Sequence, residues 1–236
     1  MKYAATALTF TIALIAGLAP TAASATPIPV VTVTGMQFPS ATTLTIHSRV
    51  GGVDERVYAG AFATIASEQA GSFESWCVDI FQATSFNDHV KDYHSETGVF
   101  ALGNKKTSLL ERLATESLGL VKDATTSAAF QLAIWEIINE TNTMFDLTRG
   151  SFSATDASDN SIALANTWLR GLPGANTVPT YDLSVLMSPT HQDLGTFTKV
   201  PEPSTIAVLF AGLVGFVLAG RRNSSRVAKR VDHALE

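Results

Sequence analysis

One thiol and one carboxamide carry the chemistry this chain could do. Cys77, in Phe73-Glu74-Ser75-Trp76-Cys77-Val78-Asp79-Ile80, is the single cysteine among 236 residues. A lone thiol has no internal disulfide partner, so it is either a small buried hydrophobe or a reagent. The carboxamide, Gln131, lies 54 positions downstream in Ala128-Ala129-Phe130-Gln131-Leu132-Ala133-Ile134-Trp135-Glu136-Ile137, an otherwise mostly apolar stretch. Burying a carboxamide unpaired costs about 1–3 kcal/mol, so an inward Gln131 needs a partner. Backbone groups would make it a hydrogen-bonded core glutamine beside an inert core cysteine. The alternative is attack of the sulfur on the carboxamide carbon, expelling ammonia and leaving a Cys77–Gln131 thioester. That reaction needs a thiol free of competing disulfides, a carboxamide held in near-attack geometry and apolar walls against water. Trp76, Phe130 and Trp135 are available as walls, and Asp79 is the candidate general acid.

The elements that must position these groups follow from periodicity. Residues 26–65 are rich in Val, Thr and Ile and broken by Pro and Gly, and apolar/hydroxyl alternation predicts strands over 28–34 and 42–46. Gly51-Gly52 is a turn signal, and residues 57–65 read as the next strand. Residues 75–81 read as another, with Cys77 and Asp79 on one face and Trp76 and Val78 on the other. After a polar loop holding His89 and His94, Ser108-Leu109-Leu110-Glu111 is a capping-box pattern followed by an apolar stripe, with Gly119 as the stop. Thr125-Thr126-Ser127 is placed to cap a helix running to about Glu140. On that helix Gln131, Ile134, Trp135 and Ile138 share one side, and Glu136, Asn139, Glu140 and Thr143 form the wet side. A third helix is expected over 159–170, closed by Gly171 and Pro173, then strands over 180–187 and 193–200. Strands, helices, then strands predict an α+β domain: a mainly antiparallel sheet or sandwich with a helical insert.

The two motifs also resemble a family. Trp76-Cys77-Val78-Asp79 and Gln131-Leu132-Ala133-Ile134-Trp135 are similar to the paired signatures of bacterial thioester domains, an aromatic-Cys-aliphatic element on a strand and Gln-x-Ala-Ile-Trp on a downstream helix. The resemblance spans about residues 57–140. It implies that Cys77 and Gln131 form a thioester that acylates a nucleophile on a target surface, with Trp135 shielding it. The chain departs from the better-known members, Gram-positive adhesins with a different sorting signal, and has Phe130 where a small hydroxyl residue is common.

The ends carry addressing features. Met1-Lys2-Tyr3, the apolar run over 8–18 and Ala23-Ser24-Ala25 form a signal-peptide pattern over residues 1–25, with mature chain from Thr26. At the other end Pro201-Glu202-Pro203 precedes the uncharged run 204–220, long enough to cross a bilayer, and then Arg221-Arg222 in a basic tail over 221–236. This tripartite end resembles the PEP-CTERM sorting signal of Gram-negative bacteria. The resemblance implies an exosortase-type protease as partner, a transient single-pass membrane helix, and release or surface attachment of the ectodomain 26–200 after the tail 201–236 is removed.

Charge argues against nucleic-acid binding. Residues 26–203 hold 10 Lys/Arg against 19 Asp/Glu, a net charge of −9, with no basic stripe for nucleic acid. A cysteine hydrolase using Cys77 with His89 or His94 is the enzymatic alternative, but no protease signature surrounds Cys77. Asp156, Asp159 and Asn160 lack the ligand spacing and glycine of a calcium loop and read better as a helix-capping acidic turn. No cofactor or metal is expected. The function expected is covalent attachment to a protein amine or a polysaccharide hydroxyl by a non-catalytic module, and its rival is a passive surface or matrix protein.

Overall fold

The structure, a computed structural model, describes residues 26–28, 30–67, 71–141, 144–172 and 177–201. The expected signal peptide, the sorting helix with Arg221 and Arg222, Glu202, Pro203 and Thr143 lie outside the described residues. Among the described residues no helix is long and apolar enough to cross a membrane.

The chain runs β1 (Thr26–Pro27), β2 (Val31–Met36), β3 (Thr42–Ser48), β4 (Val53–Ala59), β5 (Phe62–Ala66), β6 (Ser72–Cys77) and β7 (His94–Thr97), then α1 (Gly98–Leu102), α2 (Asn104–Ser117) and α3 (Ala124–Asn139). It continues through β8 (Phe152–Thr155), α4 (Ser161–Gly171), β9 (Tyr181–Met187) and β10 (Leu194–Lys199). The strands form a seven-stranded sheet, β1-β7-β9-β10-β6-β5-β2, and a three-stranded sheet, β4-β3-β8. Every pairing is antiparallel. The α+β class and the antiparallel sheets are therefore as the residue pattern indicates.

The details differ in instructive ways. Residues 57–65, expected as one strand, break at Gly60 and Ala61, and the halves join different sheets. Gly60 has a φ of +142°, and a Cβ there would lie 2.9 Å from the Ser127 hydroxyl, so glycine permits both the corner and the approach of α3. Ser127 Oγ accepts the Ala61 N–H at 2.8 Å and ties the corner to the first turn of that helix. His94, expected in a loop, begins β7, which pairs with β9, and β8 pairs with β3 inside the helical region. Neither short strand is legible locally, because four residues hold too little periodicity.

Ser108 lies inside α2, which starts at Asn104, so its capping-box pattern caps nothing; helix propensity carries the helix a turn further back. The cap of α3 is Asp123, whose Oδ1 accepts the Thr126 N–H at 2.8 Å while Thr126 Oγ1 accepts the Asp123 N–H at 3.1 Å. Asp159 accepts the Ser161 N–H at the start of α4 and the Thr42 hydroxyl, as expected of an acidic capping turn.

The largest correction concerns α3. Glu136, Asn139 and Glu140 were expected on a wet side, yet all three are buried, and Glu136 is 0% exposed. The helix touches β3, β4 and β8 of the small sheet and β6 of the large one, with α2 and α4 alongside. A helix enclosed on every side has no wet face, whatever its sequence alternation implies. Phe130 anchors it, meeting Trp76 edge-on at 4.6 Å between ring centres, with Trp168 and Phe197 around it.

Candidate functional site

Two halves of the domain meet at β6. Its first residues pair with β5, and its last two, Trp76 and Cys77, pair with Gly195 and Leu194 of β10. The strand ends at Cys77, with Val78 donating its N–H to the Asp193 carbonyl at 3.1 Å. Cys77 is 1% exposed, and so is Gln131, which α3 brings up against it.

Both ends of the Gln131 carboxamide are bonded to the backbone of Cys77. Its Oε1 accepts the Cys77 N–H at 3.0 Å, and its Nε2 donates to the Cys77 carbonyl at 2.8 Å. The carboxamide carbon is thereby clamped beside the residue that carries the sulfur, and its oxygen already rests on an N–H donor of the kind that stabilises a tetrahedral oxyanion. The Cys77 thiol donates to the Asp79 carbonyl at 3.1 Å. That thiol is pushed up to about 12, chiefly by burial; the Trp135 indole and the Asp79 backbone pull it down, and the nearby Asp79 and Asp193 carboxyls push it up. The resting sulfur is a protonated thiol in a dry site.

The expected site residues thus divide by role. Cys77 and Gln131 are brought together. Trp135 sits one turn beyond Gln131 on α3, 4% exposed, with its ring against Phe152. Trp76 and Phe130 pack on each other as part of the core. Asp79 lies beyond the end of β6, so it does not share a strand face with Cys77. Its backbone carbonyl meets the thiol, whereas its carboxylate Oδ1 accepts the Phe81 N–H at 2.8 Å. Of the sorting motif only Pro201 is described, exposed just beyond β10.

Sequence reasoning missed the third wall. Asp193, half-buried with its carboxyl raised by desolvation, adds its charge to the field at Cys77. Gln192 Nε2 donates to the Asp79 and Gln82 carbonyls at 3.2 and 3.0 Å, fastening the loop before β10 over the segment that follows Cys77. Tyr93, also within reach of Cys77 electrostatically, donates its hydroxyl to the Gln192 carbonyl at 2.6 Å. More than a hundred positions separate Gln192 and Asp193 from Cys77, and no local pattern links them.

Among the described residues no histidine is hydrogen-bonded to the thiol. His89 pairs with the Thr32 hydroxyl at 2.9 Å. A cysteine hydrolase needs a base that raises the thiolate fraction, and here the surroundings of Cys77 lower it. No group of three or more His, Cys, Asp or Glu among the described residues could hold a metal ion.

Comparison with known proteins yields three findings. The chain is similar in structure to the N-terminal thioester domain of a surface protein from Clostridium perfringens, determined as a cysteine-to-alanine mutant. That likeness has a TM-score of 0.42 and 17% identity, over 58% of this chain and 89% of the other. No curated protein matches. Residues 199–223 match the PEP-CTERM protein-sorting motif, and the chain therefore carries the signal of a surface-sorted exported protein.

Proposed function

We propose that Cys77 and Gln131 form an internal thioester and that the exported domain uses it once, to attach itself covalently to a nucleophile on another surface. The observation that carries this reading is the clamp: a buried carboxamide bonded at both ends to the backbone of the chain's single cysteine. The resemblance of the two motifs to thioester-domain signatures supports it. In the forming step the Cys77 sulfur bonds to the Gln131 carbonyl carbon, the carbon–nitrogen bond breaks, and the thiol proton leaves with the nitrogen as ammonia. The Cys77 N–H, already on Oε1, holds the negative charge that develops there. In the transfer step a target amine bonds to the same carbon, the carbon–sulfur bond breaks, and the amine proton returns to sulfur.

A protein amine such as lysine is the preferred acceptor, and a polysaccharide hydroxyl the second choice, since an amine is the better nucleophile. The rest of the proposal concerns addressing. Residues 1–25 are a cleaved signal peptide, 26–200 the ectodomain, and 201–236 a tail recognised at Pro201, Glu202 and Pro203 by an exosortase-type protease. Within that tail 204–220 cross the inner membrane, with Arg221 and Arg222 on its cytoplasmic side until processing.

Intact mass tests the chemistry. Thioester formation makes the protein lighter by one ammonia, and methylamine then adds its own mass and frees a thiol. Cys77→Ala and Gln131→Ala each abolish both changes. A specific observation favours one other reading: the pairing that clamps Gln131 also satisfies it, as expected of a passive structural staple. Full mass with a thiol that titrates only on unfolding establishes the staple and ends the covalent reading.

A further inference from the structure

The Trp135 indole N–H is the donor that the site leaves unused. It is buried, no atom of the described residues stands in hydrogen-bonding geometry to it, and it lies close enough to the Cys77 thiol to act on it. A buried donor without a partner is destabilising, which points to a state in which it is paired. Phenylalanine would fill a similar apolar wall without that cost. Trp135 follows Gln131 by four positions on α3, which sets the two side chains on one face a turn apart. The carboxamide is saturated by the Cys77 backbone, and the thiol spends its proton on the Asp79 carbonyl. The donor within reach of the sulfur is the Trp135 indole.

We propose that the Trp135 N–H serves the sulfur when it carries negative charge, stabilising the Cys77 thiolate as it departs from the acyl carbon. This rests on the thioester reading above and assigns that reaction its leaving-group donor. When a target amine attacks, the carbon–sulfur electron pair goes to sulfur, and burial opposes that charge with carboxyls of Asp79 and Asp193 nearby. The indole N–H, which meets only a neutral thiol at rest, then faces a charged acceptor, so the interaction is stronger in the transition state than in the ground state. Trp135 acts as a proton donor in a hydrogen bond and gives up no proton; the sulfur is protonated by the attacking amine.

The test compares full-length wild type with Trp135→Phe, following thioester cleavage by methylamine and by water through intact mass. Removing the donor slows both reactions about 10- to 100-fold. A role as a wall alone gives the opposite sign, because a smaller ring admits water and hydrolysis accelerates. Replacement of Trp135 by its benzothiophene analogue, which removes the N–H and keeps the bicycle, slows both reactions equally and covers the case in which Trp135→Phe does not fold. Cleavage of either variant at the wild-type rate, or faster, overturns the assignment while leaving the thioester standing. A wild-type protein of unaltered mass removes both readings together.

Discussion

Helix α3 buries two polar side chains five positions apart and treats them in opposite ways. Gln131 is neutral, and one residue of β6 satisfies both ends of its carboxamide. Glu136 is equally buried, but among the described residues only Oε1 has a partner, the Asp146 N–H at 2.7 Å, and Oε2 has none. Desolvation raises the Glu136 carboxyl to about 7, and the charges of Glu140 and Asp146 push in the same direction. The first site is a closed, uncharged clamp at the end of a strand. The second is a titratable strut beside residues 144–151, with Glu140 Oε2 accepting the Ser151 N–H beside it. A paired amide is buried at small net cost, whereas a half-paired carboxylate is buried only by drawing a proton.

The contrast is sharpest at the sulfur. In molecules that retain the free thiol, iodoacetamide at pH 8 should alkylate Cys77 about a thousandfold more slowly than in the urea-unfolded chain, since a thiol near 12 yields about a thousandth of the thiolate of one near 9. Equal rates in mass spectrometry would mean the crevice is open. Next, Gln131→Ala strands the Cys77 N–H and carbonyl in the core and should cost about 2–4 kcal/mol in urea unfolding, besides abolishing the mass change. A loss below about 1 kcal/mol would break the picture of a clamp.

At the other site the sign reverses. The folded carboxyl of Glu136 lies above its unfolded value, so its contribution is full below about pH 4.5 and is lost as pH rises through about 7. Glu136→Gln should therefore match wild type near pH 4.5 and exceed it by roughly 3 kcal/mol at pH 8. A pH-independent difference in thermal unfolding would remove the strut. The smallest effect expected is that of Asp123→Ala, a slight fall in the denaturant midpoint from loss of the α3 cap. Because the cap is nearer Gln131 than Glu136, the thioester yield should fall before the pH dependence changes.

Much of this arrangement was legible beforehand. The apolar run of α3 and the Val- and Thr-rich strands followed from residue types and period, whereas the choice of Cys77 and Gln131 as a pair came from the resemblance of their two motifs to thioester-domain signatures, and the α3 cap falls at Asp123 and not at Thr125-Thr126-Ser127. Residues 57–65 misled because their apolar run is continuous, and only Gly60 hints at a corner. Glu136 and Glu140 misled because two acids on one helix side ordinarily mean solvent. Their partners, the Asp146 and Ser151 N–H groups, belong to a loop whose course no periodicity reveals.

The chain alone determined that its single thiol has no disulfide partner, that Gln131 faces inward on a helix, and that the C-terminal segment carries a sorting motif, because each is a matter of residue type and local period. Only the tertiary structure decided that the Gln131 amide closes on the Cys77 backbone, that Asp193 and Gln192 complete the wall, and that the acids of α3 are buried. Those facts depend on which distant segments pack around one helix, and side-chain burial and carboxyl protonation are set by that enclosure.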